Sequence, residues 1–254
     1  MKSSDLFKES INVIRNAGEL LLDNRLKDYK VVRKSKFDFI TELDIMVQNY
    51  VIDKLKILSS VPTISEEQKI NNINSNNYFV LDPIDGTHNL IAGLDIFGVS
   101  LAYVNENRIQ FGISYFPVID KMYTAFVNKG SYKNGSRIKA SKNIEIEKSI
   151  IGYDNNFSEK PNIINNFMSL NENIFTVRIS GSAAYDCCQV AEGNLDARIF
   201  NNTKLCDIAA GKIIVEESGG IITDFNGKDI DYNSIKDIII SSNQFHNKLE
   251  GLLK

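Results

Sequence analysis

The residues with the clearest chemical potential form the string Asp82-Pro83-Ile84-Asp85-Gly86-Thr87-His88-Asn89, directly after the apolar run at 78–81. Pro83 stiffens the exit from a strand, and Gly86 lets the backbone approach a ligand. Thr87 and the amides after it can hold an anion at a helix N-terminus. Carboxylates beside an anion need a cation between them, and Mg²⁺ binds a few carboxylates together with phosphate oxygens. The string therefore predicts a magnesium–phosphate site rather than an ordinary Asp-Gly turn.

Three further acidic segments offer ligands for the same site. Glu66-Glu67 follows an apolar segment, Asp44 lies at the start of a predicted helix after Thr41, and Asp207 opens another helix after Cys206. Each has an ordinary alternative when taken alone. The glutamates fit a solvated loop, Asp44 fits a first-turn charge that complements the helix dipole, and Asp207 fits an N-cap.

The elements that must position these groups are predicted from hydrophobic spacing. Apolar residues at helical intervals predict long amphipathic helices over 4–27 and 42–58, and Thr41 is the predicted N-cap of the second. The run at 78–81 predicts a buried strand. Short β-type runs separated by turn signals predict an antiparallel meander over 97–138.

After about residue 146 the pattern changes to alternating strands and helices, which is typical of α/β layers. The chain is therefore expected to have an N-terminal α+β half, 1–145, and a C-terminal α/β half, 146–254, packed as one unit. In the second half, strands are predicted over 150–154, 174–179, 195–200, 220–224 and 236–241, and helices over 158–170, 183–192, 206–218 and the C-terminus.

Composition excludes several classes of protein. The 254 residues are 43% hydrophobic with a net charge of −3, which is unlike a disordered chain. No apolar run approaches the roughly 18 residues of a membrane span. The N-terminus lacks the features of a secretory signal, and three Cys without a CxxC suit a reduced, cytoplasmic protein. A pI near 5.6 argues against a dedicated nucleic-acid-binding protein.

Taken together and in order, these segments resemble the inositol monophosphatase family. Its upstream [VI]-T-x-x-D motif matches Ile40–Asp44, and its acidic pair matches Glu66-Glu67. Its string D-P-[IL]-D-G-T-x-N matches 82–89. Its Gly-[ST]-Ala-Ala segment matches 181–184, and its later D-x-A-[AG]…E-[AS]-G-G pattern matches 207–220. The resemblance spans nearly the whole chain.

The resemblance implies an αβαβα five-layer sandwich of the sugar phosphatase type, a homodimer, and two or three Mg²⁺ ions per site. Glu66, Asp82 and the carbonyl of Ile84 would hold one ion. Asp82, Asp85 and Asp207 would hold a second, and Glu66 would support a third through waters. Metal-assisted hydrolysis needs no covalent enzyme intermediate.

The resemblance also implies the catalytic and substrate-binding groups. Thr87, paired with Asp44, would orient and help deprotonate the attacking water, with Glu66 as a further catalytic group. The amides of Gly86 and Thr87 would bind the ester phosphate. Arg178, Arg198 and Lys204 are basic groups near the expected leaving-group pocket, where Arg198 and Lys204 taken individually fit surface charges better. The expected substrate contacts are Asp85, Gly86, Thr87, Arg178, Gly181, Ser182, Ala183 and Lys204.

The sequence departs from the family pattern in ways that bear on specificity. Cys206 stands where the family usually has Trp, which is a packing change. Phe200 falls where animal inositol monophosphatases carry a Glu that contacts an inositol hydroxyl, and an apolar ring cannot make that hydrogen bond. Tyr185 fits a pocket wall or the core equally well. His88 is not expected to be a base, and the adjacent Cys187 and Cys188 are expected to be buried packing groups.

The predicted function is a Mg²⁺-dependent phosphomonoesterase that acts on a small polyol or sugar phosphate, namely inositol 1-phosphate or fructose 1,6-bisphosphate. The alternative substrates are 3'-phosphoadenosine 5'-phosphate and NADP(H), although no adenine-stacking wall is identified. The alternative of another class is a catalytically silent binding subunit. That alternative is disfavoured because every expected ligand residue is present. No nucleic-acid or membrane partner is expected.

Overall fold

The computed structural model describes residues 2–36, 38–67, 75–154, 157, 161–230, 232 and 237–253. The helices are α1 (Ser3–Asn24), α2 (Glu42–Leu58), α3 (Thr87–Ala92), α4 (Pro161–Asn173), α5 (Ala183–Glu192), α6 (Leu205–Glu217) and α7 (Asn243–Glu250). The strands are β1 (Val31–Arg33), β2 (Phe39–Thr41), β3 (Thr63–Ser65), β4 (Asn77–Asp85), β5 (Gly98–Asn105), β6 (Arg108–Phe116), β7 (Lys121–Phe126), β8 (Gly130–Lys133), β9 (Ser136–Arg137), β10 (Ile150–Gly152), β11 (Thr176–Arg178), β12 (Ala197–Phe200), β13 (Gly220–Asp224) and β14 (Ile238–Ser242).

The larger sheet has seven strands in the order β3-β4-β5-β6-β7-β8-β9. β3 is parallel to β4, and every other neighbouring pair is antiparallel. Alternate residues of β4 face opposite sides, as strand geometry requires. Phe79 and Leu81 join the core shared with α1 and α2, whereas Tyr78 and Val80 join the core shared with α5 and α6.

The smaller sheet has five strands in the order β11-β10-β12-β14-β13. Its inner face packs on α5 and α6. Its outer face forms a third core with α4 and α7, through residues such as Leu170 and Phe245. The layers therefore run α1/α2, seven-stranded sheet, α5/α6, five-stranded sheet, α4/α7. The predicted αβαβα five-layer fold is confirmed.

Most predicted elements are present, with shifted ends. The meander after residue 97 forms β5 to β9, and α1 ends at Asn24 rather than at residue 27. Thr41 caps α2 as predicted, through a capping box in which Asp44 accepts the backbone N–H of Thr41. The β1–β2 hairpin is an addition to the predicted elements. The predicted starts of the helix at 158 and of the strand at 236 lie outside the described residues.

The predicted strand at 78–81 continues to Asp85, because a register shift between Asp82 and Asp85 accommodates Pro83. Proline is tolerated in strands at such irregularities, where it does not remove a ladder hydrogen bond. The shift places both aspartates at the end of one strand.

Across the described residues, the search for a helix that is both long and apolar enough to cross a bilayer finds none.

Candidate metal and phosphate site

Two parallel strands bring the first pair of carboxylates together. β3 and β4 run side by side with Ser65 opposite Leu81, and the N–H of Glu66 donates to the Leu81 carbonyl over 3.2 Å. Glu66 and Asp82 each follow this pair by one residue, so their side chains point to the same face of the sheet. The Asp82 side chain is buried and the Glu66 side chain is 19% exposed.

The N-terminus of α6 supplies the third carboxylate. Asp207 is the third residue of α6 and accepts hydrogen bonds from the Lys204 N–H (2.9 Å) and the Thr203 hydroxyl (3.1 Å). It is therefore not the N-cap that the ordinary alternative predicted. One carboxylate oxygen each from Glu66, Asp82 and Asp207 lies within 4.8 Å of the other two. We call these three residues the acidic cluster.

The described residues compensate the acidic cluster only in part, through the ammonium group of Lys204 beside Glu66 and the two hydrogen bonds to Asp207. Oδ1 of Asp82 is buried and accepts no hydrogen bond from the described residues. Burial raises the pKa of Asp82 well above its usual range, and the neighbouring Glu66 charge adds to the rise. Burial and Glu66 likewise raise the pKa of Asp207 to about 6. Buried carboxylates that converge without donors or cations are costly, so the arrangement suits a hard divalent cation.

Asp85 lies beside the acidic cluster but is bound by the N-terminus of α5. The N–H groups of Ala183 and Ala184 donate to its Oδ1 over 2.8 and 3.2 Å, and the Ser182 hydroxyl donates to Oδ2. Burial raises the pKa of Asp85 to about 7, and these hydrogen bonds oppose the rise. The predicted substrate-binding segment at 181–183 is thus in direct contact with Asp85, the predicted metal ligand.

Thr87 and Asp44 meet as predicted. The Thr87 hydroxyl lies 3.2 Å from Oδ1 of Asp44 and 2.9 Å from the Ile84 carbonyl oxygen. The other oxygen of Asp44 accepts the Thr41 N–H (2.7 Å) and hydroxyl (2.6 Å). Asp44 is 1% exposed, and burial raises its pKa although the hydrogen bonds lower it. The capping box of α2 therefore orients the carboxylate that faces Thr87.

Two glycines allow the loops around the site to approach closely. Gly86 has φ +85° and precedes α3, and a Cβ there would lie 2.8 Å from the Ile96 carbonyl oxygen. Gly181 has φ +75°, and a Cβ there would lie 2.9 Å from Oδ1 of Asn89. Nδ2 of Asn89 donates to the carbonyls of Ile96 (2.7 Å) and Ser180 (2.8 Å). Asn89 thereby joins the 82–89 string to the 180–184 segment, a role that sequence reasoning did not assign.

The three basic candidates have different surroundings. The side chain of Lys204 is 60% exposed, and its Nζ lies 3.1 Å from Oε1 of Glu66. Arg178 is exposed, and its recorded hydrogen bonds go to Thr176 and Val177 of its own strand, so its substrate role stays a prediction.

The interpretation of Arg198 as a surface charge is wrong. Its side chain is 5% exposed and lies between Asp154 and Asp186, with Nε 2.7 Å from the Asp186 carboxylate. Its guanidinium carbon is 4.2 Å from the centre of the Phe200 ring. Gly152 makes room for it, since a Cβ there would lie 2.5 Å from Cδ of Arg198. A single Arg between apolar residues gave no signal of these buried partners.

Phe200 is 2% exposed and belongs to the central core. Cys187 and Cys188 are fully buried, as predicted. Tyr185 is half-buried and packs edge-on against Phe116, with ring centres 5.3 Å apart. His88 is exposed with its ring against Phe39, away from the contacts of Thr87 described above.

Lys34 is a second basic group near the acidic cluster that sequence reasoning did not single out. It extends from the β1–β2 hairpin to Glu67, with Nζ 2.8 Å from Oε1. The Glu67 side chain is 6% exposed, so it is not the solvated group of the ordinary alternative. Phe37, in the same segment, lies outside the described residues.

Comparisons with known proteins agree with this geometry. A relative from Thermotoga maritima, "Fructose-1,6-bisphosphatase/inositol-1-monophosphatase", is 31% identical over 94% of this chain and 92% of its own. Human "Inositol monophosphatase 1" is 29% identical over 92% of this chain and 88% of its own. The solved structure of the extragenic suppressor protein suhB from Bartonella henselae superposes with a TM-score of 0.91 at 26% identity, over 96% of both chains. The model of the inositol monophosphatase family matches residues 2–253, and the chain belongs to that family.

Proposed function

We propose that this protein is a Mg²⁺-dependent phosphomonoesterase of the inositol monophosphatase family that hydrolyses a small polyol or sugar phosphate. The observation that carries the proposal is the acidic cluster, in which a buried Asp82 oxygen has no donor among the described residues while two further carboxylates converge on it. Membership of a phosphatase family supports the same reaction class.

The residues that would hold the cations are those of the acidic cluster together with Asp85 and the Ile84 carbonyl. Glu66, Asp82 and Ile84 would hold one ion, and Asp82, Asp85 and Asp207 a second, with Glu66 supporting a third through waters. A bound divalent cation would supply charge neutralisation and Lewis-acid activation of water and of the phosphoryl group. The Ile84 carbonyl has two lone pairs, so it can accept the Thr87 hydroxyl and still serve as a ligand.

Thr87 and Asp44 would orient the attacking water and receive its proton. The Thr87 hydroxyl can accept a hydrogen bond from water while it donates to Asp44 or to the Ile84 carbonyl. The raised pKa of buried Asp44 makes it a stronger base than an exposed aspartate. Because the capping box fixes its orientation, Asp44 can act on the proton through Thr87 without moving.

Phosphate binding would use the amides of Gly86 and Thr87 at the start of α3. Gly86 adopts a left-handed conformation there, and its contact with Ile96 leaves no room for a side chain. The segment Gly181, Ser182 and Ala183 lies against Asp85 and would line the same pocket. Lys204 and Arg178 would face the leaving group.

The substrate class follows from the pocket and from the relatives. Phe200 is buried and apolar, so it cannot supply the hydroxyl contact expected for a strictly inositol-specific enzyme. The T. maritima relative is named for both fructose 1,6-bisphosphate and inositol 1-phosphate. Both substrates are therefore proposed for this chain. 3'-Phosphoadenosine 5'-phosphate and NADP(H) are the alternatives.

The test is phosphate release with Mg²⁺ from inositol 1-phosphate, fructose 1,6-bisphosphate, 3'-phosphoadenosine 5'-phosphate and NADP. Asp82→Asn serves as the inactive variant. Asp53→Asn, an exposed aspartate on α2, is the matched control. We expect Mg²⁺-dependent release from one of the first two substrates that Asp82→Asn abolishes and Asp53→Asn retains. No release from any of the four by the folded protein would favour the silent binding subunit.

The homodimer implied by the resemblance and the cytoplasmic location inferred from the cysteine content belong to the same proposal. A mass measurement in solution tests the first, with a dimer expected. Fractionation of the source cells tests the second.

A further inference from the structure

Lys204 occupies an unusual place for an exposed cation, because it contacts the acidic cluster directly. It is the residue immediately before α6, and α6 carries Asp207 as its third residue. Its Nζ reaches across to Oε1 of Glu66 over 3.1 Å. The backbone N–H of the same residue donates to Asp207 over 2.9 Å. One residue therefore contacts two of the three carboxylates that converge at the site.

The ammonium group of Lys204 lies among more negative than positive charges. Glu66 and Asp207 act on Lys204 and keep its pKa above the ordinary value although burial opposes the rise. The other nearby ammonium group, that of Lys34, is held by Glu67 and lies 3.6 Å from Asp38. Within the described residues, Lys204 is the side-chain cation that an ion pair joins to the acidic cluster.

The Lys204 side chain is also exposed enough to break its contact with Glu66. It is 60% exposed, whereas its partner Glu66 is 19% exposed. A long side chain that is mostly in water can change rotamer quickly, while a half-buried carboxylate on a strand end cannot. Exposed ion pairs are weak, so the contact can be exchanged for a stronger one.

We propose that Lys204 is an exchangeable counter-ion: it neutralises Glu66 in the metal-free protein, gives up that carboxylate when a divalent cation binds, and then faces the phosphate or a second anionic group of the substrate. This rests on the proposed function, because it assumes that the acidic cluster binds Mg²⁺. It adds a competition between a lysine and the cation that neither the fold nor the family membership requires.

The proposal predicts opposite effects on metal and substrate. Without the ammonium group, Mg²⁺ does not have to displace a cation from Glu66. Lys204→Gln should therefore bind Mg²⁺ about two- to five-fold more tightly, which corresponds to the free energy of an exposed ion pair. The same variant should show a raised KM for the substrate, because a cation facing its anionic group is lost. In chelator the variant should melt below the wild type, since the carboxylates have lost their counter-ion.

The experiment is a calorimetric titration of Mg²⁺ into the metal-free wild type, Lys204→Gln and Lys34→Gln. Lys34→Gln is the matched control, because it removes an equal charge that contacts Glu67 rather than the acidic cluster. We expect tighter Mg²⁺ binding in Lys204→Gln, a smaller change in Lys34→Gln, and a difference that shrinks with added salt. Lys204→Arg should behave like the wild type towards Mg²⁺.

Two results would overturn the proposal. Wild-type Mg²⁺ affinity in Lys204→Gln would show that no exchange occurs, while Mg²⁺ binding by the wild type would leave the proposed function intact. Equal effects of Lys204→Gln and Lys34→Gln would indicate a general charge effect rather than a direct exchange. A wild type that binds no Mg²⁺ would overturn the proposed function together with this inference.

Discussion

Two groups of charged side chains, one around Arg198 and the other the acidic cluster, have their charges compensated in different ways. Around Arg198, two carboxylates share one guanidinium, and Asp154 also accepts the N–H of Asn201 over 2.6 Å. In the acidic cluster, three carboxylates meet with a single exposed ammonium group at the edge, that of Lys204.

The pKa directions show the same contrast. Burial raises the pKa of both Asp186 and Asp82, but the nearest charge opposes the rise at Asp186 and increases it at Asp82. Each carboxylate of the Arg198 group is therefore paired with a buried cation of the same chain. In the acidic cluster only Glu66 has such a partner among the described residues, the exposed Lys204, and we propose that divalent cations complete the cluster. This difference separates a structural ion-pair network from a candidate metal site more clearly than burial or charge alone.

The largest expected effect is on turnover, from Asp82→Asn. This residue would bridge two cations, so its loss should remove several kcal/mol of transition-state stabilisation and leave activity at or below a few per cent. Phosphate release under saturating Mg²⁺ measures it. In chelator the same variant should be more stable than the wild type, because a repelling buried charge has gone. Activity well above a few per cent would remove Asp82 from the bridging position.

Removing the guanidinium of Arg198 should lower the stability of the protein, whereas Asp82→Asn should raise it in chelator. Arg198→Met leaves Asp154 and Asp186 without their partner and should lower the free energy of unfolding by about 3–5 kcal/mol. Urea unfolding measures it. Arg178→Met, an exposed arginine in the same sheet, is the control and should change stability by less than about 0.5 kcal/mol. Equal effects of the two variants would contradict the account of Arg198.

The water-orienting pair should affect the rate rather than binding. Thr87→Ala should lower kcat by about 10²-fold with little change in KM, because the hydroxyl acts on the water and its proton. Steady-state kinetics measure the two constants separately. Thr87→Ser keeps the hydroxyl and should recover most of the rate. An unchanged kcat in Thr87→Ala would exclude Thr87 from the mechanism.

The stability of the metal-free protein should also depend on pH. The pKa of Asp85 rises from about 3.8 to about 7, and that of Asp207 to about 6. Between about pH 4 and pH 7 the folded state therefore binds more protons than the unfolded state, and the free energy of unfolding falls as the pH rises through this window. Urea unfolding in chelator at about pH 5 and pH 7 tests the sign. Constant or rising stability would contradict it, and saturating Mg²⁺ should remove the loss because bound cations keep these groups charged.

The resemblance to the family allowed the five-layer fold and the contents of the acidic cluster to be predicted, because the motifs that carry the resemblance are short and contiguous in the sequence. Asp82 to Asn89 are contiguous, and hydrophobic periodicity located α1, α2 and the strands of the meander. Of the long-range side-chain contacts, the resemblance implied the pairing of Thr87 with Asp44 but not the partners of Arg198. Those partners, Asp154 and Asp186, are 44 and 12 positions away, and the pairing of β10 with β12 together with the packing of α5 brings them to Arg198.

Lys34 and Lys204 illustrate the same limit. Lys204 was predicted as a substrate contact and Lys34 was not singled out, and in neither case did the sequence indicate the partner, Glu66 or Glu67, that the folded chain brings to it. The end of β4 was also misjudged, because Pro83 suggested an exit from the strand where the sheet instead accommodates it through a register shift.

The most direct test of the central claim is a thermal melt of the metal-free protein with and without Mg²⁺ at fixed ionic strength. A saturating cation that binds only the folded state should stabilise it by about 3 kcal/mol, which is a rise in Tm of several degrees for a chain of this size. The rise should disappear with chelator and in Asp82→Asn, and remain in Asp53→Asn. A Tm that Mg²⁺ and chelator leave unchanged would contradict the claim that the acidic cluster is completed by a divalent cation.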